Sequence, residues 1–304
     1  MGHCSHGEKG LCLQAGVQCY QNGLGKSESN MSLEDYKAII DQCRGRLFQV
    51  ALGGRGDPEL HEFFAEILSY ARENDIVPNL TTSGFGLTKS HAALMKEYCG
   101  AVAVSWYRST YTLKAIDLLL SFGIKTNIHY VLGNNTLDEA LELLSSNAFP
   151  EGINRIIFLL HKPVGMGRKD NVLSPFDPKV KKLFSLFNQE EYINKVGFDS
   201  CCIPGIINFC PNIHLNSIDT CEGARYSAYI SPNMIMTPCS FDQEYRWGQR
   251  LKEYSIEEVW ESKAFESFRS LLKMSCPDCE KKAYCLGGCP IKNEIALCPN
   301  KSRR

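Results

Sequence analysis

From Leu47 to about Lys162 the chain repeats one rhythm, a short apolar run followed by a stretch in which apolar residues recur at three- and four-residue steps. The runs are Leu47 to Leu52, Val77 to Thr81, Ala101 to Ser105, Lys125 to Leu132 and Arg155 to His161, each of strand length. Between them Leu60, Phe63, Phe64, Ile67, Leu68 and Ala71 mark one apolar helical face, and Leu113, Ile116 and Leu120 another. Strands and helices alternating in this way build parallel βαβ units. Right-handed crossovers then give either an open doubly wound sheet or a barrel-like curl, and spacing alone does not choose. Both present ligands at the C-terminal ends of the strands.

The loops at those ends carry the unusual residues: Gly53-Gly54-Arg55-Gly56-Asp57-Pro58, then Thr82-Ser83-Gly84, then Ser105-Trp106-Tyr107. A further helix is expected from Asp177-Pro178, a capping side chain followed by a proline tolerated in the first turn, to about Phe187. Beyond it the periodicity weakens, and Gly197 to Cys202 fits neither template. A domain boundary is therefore expected around 190 to 200, dividing the chain into 1–195 and a loop-rich, cysteine-rich 196–304. One helix, about Ser255 to Lys273, interrupts that second part.

Composition narrows the partners. At 304 residues, 44% hydrophobic and 22% charged, the chain reads as an ordinary globular protein. A formal net charge of -1 provides no basic field for nucleic acid or an anionic membrane. No segment approaches the roughly 20 apolar residues of a membrane helix, and Met1-Gly2-His3-Cys4 lacks a signal peptide's apolar run. A cytoplasmic, reducing location is the expectation. Fifteen cysteines, ten of them after position 200, then favour metal over disulfides.

The cysteines read Cys221-x17-Cys239, then Cys276-x2-Cys279-x5-Cys285-x3-Cys289-x8-Cys298. A cubane iron-sulfur cluster takes about four thiolates, so these seven complete one cluster and supply three ligands to a second. The eighth ligand comes from Cys201, Cys202 or Cys210, or one iron stays open. Cys201 is preferred because it opens a turn-rich stretch ending in Pro204-Gly205. Pro277, Gly287, Gly288 and Pro290 let a short backbone wrap the metal. Structural zinc also takes four thiolates and Cys-x2-Cys pairs, and spacing leaves the two metals even.

The cysteine run resembles the SPASM domain, the twin-cluster C-terminal module of many radical S-adenosylmethionine (SAM) enzymes. The resemblance implies one auxiliary [4Fe-4S] cluster on Cys221, Cys239 and Cys289 and another on Cys276, Cys279, Cys285 and Cys298. Met234 stands where the family usually has glycine, which puts the local turn in question. With that module, the βα repeat is similar to a radical SAM partial (β/α) barrel, and the resemblance covers nearly the whole chain. Gly54, Gly56, Asp57 and Pro58 fall where the family's glycine-rich loop approaches the SAM amino group; Arg55 and Asp57 replace the usual Gly and Glu. Ser83 and Ser105, at the next two strand ends, are candidate SAM contacts.

The family's defining loop is Cys-x3-Cys-x2-Cys. Here Cys12 and Cys19, with the following Tyr20, match its outer positions, and the middle position is Gly16, which has no side chain to bind iron. Either Cys4 supplies the third thiolate as Cys4-x7-Cys12-x6-Cys19, or the cluster is lost. The strand that normally precedes this loop is absent from the sequence, so a truncated or altered N-terminus is an expectation. The resemblance implies SAM cleavage and modification of a peptide or protein, with an electron donor such as flavodoxin or ferredoxin. The alternatives are an iron-sulfur electron carrier or peptide-binding pseudoenzyme, and a zinc-stabilised binding protein. No side chain is named as a catalytic acid or base. Cys43 and Cys99 read as buried core thiols. His129 and His161, near strand ends, are better functional candidates than His61, and the Gly165-Met166-Gly167-Arg168 loop is a candidate cofactor contact.

Overall fold

The computed structural model describes residue 4 and residues 16–21, 29–274, 276 and 278–300. Helix α1 (Leu33–Cys43) leads into β1 (Gln49–Leu52), and four βα units follow: α2 (Phe64–Glu73), β2 (Val77–Thr82), α3 (Lys89–Tyr98), β3 (Val102–Ser105), α4 (Thr110–Ser121), β4 (Thr126–Leu132), α5 (Leu137–Ser145) and β5 (Arg155–Leu160). Then come α6 (Pro178–Phe187), the short α7 (Glu190–Ile193), β6 (Val196–Phe198) and α8 (Ile203–Phe209). The side chains of Ser32, Thr88, Ser109 and Asp177 each accept a first-turn backbone N–H and so set where α1, α3, α4 and α6 begin.

All six strands are parallel, and each pairs with the next in sequence, in the order β1-β2-β3-β4-β5-β6. This order decides between the two architectures. A doubly wound sheet reverses its order at a switch point, whereas sequential right-handed crossovers put all helices on one side and curl the sheet into a partial barrel. The sheet includes β6, from the segment that fitted neither template. Three residues, one of them Gly197, are too few to show a period.

Along β4, Ile128, Tyr130 and Leu132 point to the helices and are fully buried, and on β5 Ile156, Phe158 and Leu160 do the same. The opposite, inner face is polar. Asn79 Nδ2 donates to Gln49 Oε1 at 2.8 Å, and Asn154 Nδ2 to Asn127 Oδ1 at 2.7 Å. Thr81 Oγ1 and His129 Nδ1 stand 3.4 Å apart across β3, on which Thr81 is in register with Ala103 and His129 with Ser105. On the outer side α2 buries Phe64, Ile67, Leu68 and Ala71, as its period predicts. Helix α4 is rotated from the expected face: it buries Ala115, Ile116 and Leu119, while Leu113 is exposed.

A second core gathers Ala224, Met234, Met236, Trp247, Leu251, Val259, Phe265, Phe268 and Leu272, with Ile39 of α1. It is built from an antiparallel sheet of β7 (Tyr229–Ile230), β8 (Ile235–Thr237) and β9 (Gln249–Arg250) and from helices α9 (Ile256–Trp260) and α10 (Lys263–Met274). The single helix expected over 255–273 is thus two. Glu261 ends α9, and Ser262 starts α10, its Oγ accepting from Phe265 N at 3.4 Å and its carbonyl from Glu266 N at 3.0 Å. A last short helix, α11 (Lys282–Cys285), carries one of the thiols. Among the described residues no helix is long and apolar enough to cross a membrane.

Candidate functional site

The loop after β1 turns with Gly54 and Gly56 both at positive φ (103° and 78°), which a side chain would resist. The turn delivers Asp57 into the fold, where its Oδ1 accepts from Ser83 N at 2.7 Å and its Oδ2 from Ser83 Oγ at 2.6 Å. Both residues are buried. Beside them Thr82 Oγ1 donates to Glu59. Asp57 and Ser83 therefore join the ends of β1 and β2 and hold the glycine turn. The role left to Gly54 and Gly56 is the open backbone of that turn. Pro58 starts the single 3-10 turn that follows. Ser105 ends β3, half-buried and paired in register with His129.

The N-terminal loop meets this end of the barrel. Arg55 Nε donates to Gln21 O at 2.9 Å. On the other side, the Gly165–Arg168 loop receives the chain through its own backbone N–H groups: Met166 N donates to Cys19 O at 3.0 Å, and Arg168 N to the Gln18 side chain, Oε1, at 2.9 Å. A Cβ on Gly165 would collide with the Tyr20 carbonyl oxygen, so glycine is required for the approach. The candidate cofactor loop is thus a cradle for residues 18–20. His161 supports it, Nε2 meeting Arg168 O at 3.0 Å, and burial lowers its pKa. Cys4 is buried and Cys19 half-buried, and Gly16 has φ 65° with open space where a Cβ would stand. Cys12 lies outside the described residues. A larger and a smaller cleft flank the C-terminal part; the smaller is walled by Gln21, Arg55, Tyr229, Ser231, Asp242 and Tyr245.

Eleven of the seventeen candidate residues are cysteines, ten of them among the described residues, and eight of those ten fall into two groups. In the first group Cys201 donates a hydrogen bond to Cys289, raising its own pKa and lowering that of Cys289. Cys289 also interacts with Cys221 and Cys239, whose thiols burial pushes up to about 11 and about 12. Cys202 points elsewhere, toward Phe158 O at 3.7 Å, and Cys210 toward Phe184 O at 3.2 Å. In the second group Cys276, Cys279, Cys285 and Cys298 line the larger cleft together, and burial raises the Cys285 pKa.

The chemistry of these thiols suits metal-bound thiolates. Backbone N–H groups two residues on aim at the sulfur in four cases: Gly223 at Cys221, Phe241 at Cys239, Gly287 at Cys285 and Ile291 at Cys289. Each favours the ionised form, and hydrogen bonds to sulfur are one of the means by which proteins tune iron-sulfur clusters. Two tetrathiolate sets with such donors fit two cubane clusters. Among the described residues no three His, Cys, Asp or Glu side chains stand round one point closely enough to hold a single ion.

The Met234 turn is retained without glycine. Met234 has φ 58°, its N–H bonds Ser231 O at 3.0 Å, and its side chain is buried in the second core. Cys43 and Cys99 are half-buried against the first core, with pKa values raised by burial, that of Cys99 to about 12. His129 is pushed down to about 4 by burial, against the opposing pull of Asp199. Sequence reasoning missed Lys162. It is a buried lysine whose Nζ pairs with Asp199 Oδ2 at 2.7 Å and lies 4.4 Å from the centre of the Phe241 ring, itself 4.4 Å from Tyr20. A lone lysine after a strand carries no sequence signal for this.

Residues 221–285 match the SPASM family model, an iron-sulfur cluster-binding domain. Among solved structures, native anSMEcpe with bound S-adenosylmethionine and the Cp18Cys peptide superposes with a TM-score of 0.69 at 18% identity, covering 94% of this chain and 90% of that one. SuiB of Streptococcus suis bound to S-adenosylmethionine gives 0.70 at 17% identity, covering 98% and 75%. SuiB bound to its precursor peptide SuiA gives 0.68 at 18%, covering 93% and 72%. The curled parallel sheet and these matches together give the chain the fold of those structures, with an iron-sulfur cluster-binding SPASM match over residues 221–285.

Proposed function

We propose that the chain is a radical SAM enzyme that cleaves S-adenosylmethionine and modifies a peptide or protein. The observation that carries this reading is the convergence, at one end of a polar-lined partial barrel, of the Gly54–Asp57 turn, the Cys19 loop and the first thiol group. The peptides bound by anSMEcpe and SuiB support a peptide substrate here. A reduced [4Fe-4S] cluster, when bound, would supply the electron for reductive cleavage of SAM and so the radical chemistry that takes hydrogen from the substrate.

The protein's own part is to bind, orient and exclude water. Cys4, Cys12 and Cys19 would hold the SAM-binding cluster, Cys4 replacing the thiolate that Gly16 lacks. The backbone of Gly54 and Gly56 would face the SAM amino group, with Asp57, Pro58 and Ser83 fixing the turn and Ser105 at the neighbouring strand end. Cys201, Cys221, Cys239 and Cys289 would hold one auxiliary cluster, and Cys276, Cys279, Cys285 and Cys298 the other. The barrel, nominally 1–195, would bind SAM, and the module of 196–304 would carry the auxiliary clusters. A flavodoxin- or ferredoxin-type donor would supply electrons in the cytoplasm.

Gly16 favours one second reading, a pseudoenzyme that keeps the auxiliary clusters and has lost SAM cleavage. Anaerobic reconstitution followed by assay of 5′-deoxyadenosine decides. The enzyme reading expects cleavage that disappears in each of Cys4→Ala, Cys12→Ala and Cys19→Ala. An inactive parent, or three variants as active as the parent, would overturn it.

A further inference from the structure

Among the described residues Lys162 is the one buried lysine, with its side chain 3% exposed. Burying such a charge costs several kcal/mol unless it is paired. Its immediate partners are Asp199 Oδ2 at 2.7 Å and the carbonyl of Leu160 at 2.8 Å, and it faces the Phe241 ring. Phe241 lies two residues after Cys239, and Asp199 two residues before Cys201, so the ammonium is held by the two segments that bring those thiols in.

Lys162 Nζ faces the ring of Phe241, 4.4 Å from its centre, in the turn that carries Cys239. Asp199 has other duties. It accepts from Leu160 N at 3.2 Å and from Cys202 N at 3.2 Å, which turns it toward the end of β5 and the following turn.

We propose that the Lys162 ammonium is a fixed countercharge that raises the reduction potential of the cluster held by Cys201, Cys221, Cys239 and Cys289. The inference rests on the iron-sulfur reading given above. One-electron reduction by a low-potential donor adds one negative charge to an already anionic cluster, and no proton or bond need move. In a low-dielectric interior a nearby cation favours that added charge far more than it would in water. With Phe241 against Tyr20, the residue after Cys19, the same ammonium sits on the contact path between the N-terminal loop and this cluster.

The test is a potentiometric titration of the full reconstituted chain with dithionite and mediators, read by electron paramagnetic resonance. Lys162→Gln keeps a donor for Leu160 without the charge. It is expected to lower the potential of one auxiliary cluster, changing its reduction equilibrium at least tenfold, or 59 mV for a one-electron couple, and to leave the other auxiliary cluster in place. Lys162→Arg is expected to stay near the parent. Unmoved potentials in Lys162→Gln, at parent iron and sulfide content, would overturn the proposal. If that variant does not fold, Asp199→Asn gives the opposite sign, a raised potential, and an unchanged or lowered value there is equally fatal. A parent without iron and sulfide would instead refute the iron-sulfur reading itself.

Discussion

Asp57 and Ser83 bind each other with both carboxylate oxygens, at 2.7 and 2.6 Å, across the ends of β1 and β2. Replacing Ser83 with Ala removes one bond to a charged acceptor and leaves the backbone one. A loss of about 1.5–3 kcal/mol is expected from bonds of this class, read as a lower urea midpoint. Because the pair holds the Gly54–Gly56 turn, SAM binding is expected to weaken as well, which equilibrium dialysis of the reconstituted protein would show.

Cys201, Cys202 and Cys210 separate by direction. Cys201→Ala is expected to change the spectrum of one auxiliary cluster, since its thiol alone of the three meets Cys289. Cys202→Ala and Cys210→Ala remove a buried thiol and its weak bond to a backbone carbonyl, with a packing loss of about 1 kcal/mol each for a group near a methylene in size, and are expected to keep the parent's iron content. An altered cluster in Cys202→Ala and an unaltered one in Cys201→Ala would reverse the assignment.

Much of this was legible in the residues. Five strands follow from apolar runs, and Ser32, Thr88, Ser109 and Asp177 cap helices as hydroxyl and carboxylate side chains do. The second thiol group followed from the resemblance to the SPASM module and not from spacing, since Cys289 lies inside the same run and belongs to the first group. The Cys201 to Cys289 contact was not legible, since it spans two folded parts, and the choice of Cys201 rested on a turn signal alone. Strand β6 was too short to show a period. Met234 carries no glycine signal, yet occupies the left-handed turn, where the about 1–2 kcal/mol of backbone strain is outweighed by burying a methionine side chain, worth about 2–5 kcal/mol against Ala. Buried Lys162 could not be read because its charged partner, Asp199, is 37 residues away.

At Gly16 the backbone has φ 65° and open space around it. Gly16→Cys therefore costs about 1–2 kcal/mol in backbone strain without a clash. Introduced into Cys4→Ala, it restores the family's three-thiolate loop and is expected to recover 5′-deoxyadenosine formation. Failure to recover, with the N-terminal cluster present, would place the essential role of Cys4 elsewhere.

His129 titrates near 4 when folded, below its ordinary 6.5. Between those values the unfolded chain binds the extra proton and the folded chain does not, so stability rises with pH. His129 is therefore expected to cost stability progressively as pH falls from about 6.5 to about 4, by no more than about 3 kcal/mol. His129→Gln should flatten that part of the urea-midpoint profile; an unchanged slope would show that the ring is not held neutral.

The most direct test of the whole account is the iron, acid-labile sulfide and zinc content of the anaerobically reconstituted chain. Three cubane clusters predict about twelve irons with equal sulfide, falling by about four when Cys4, Cys12 and Cys19 are all replaced by Ala. Zinc at about one ion per four thiolates, without sulfide, would contradict it.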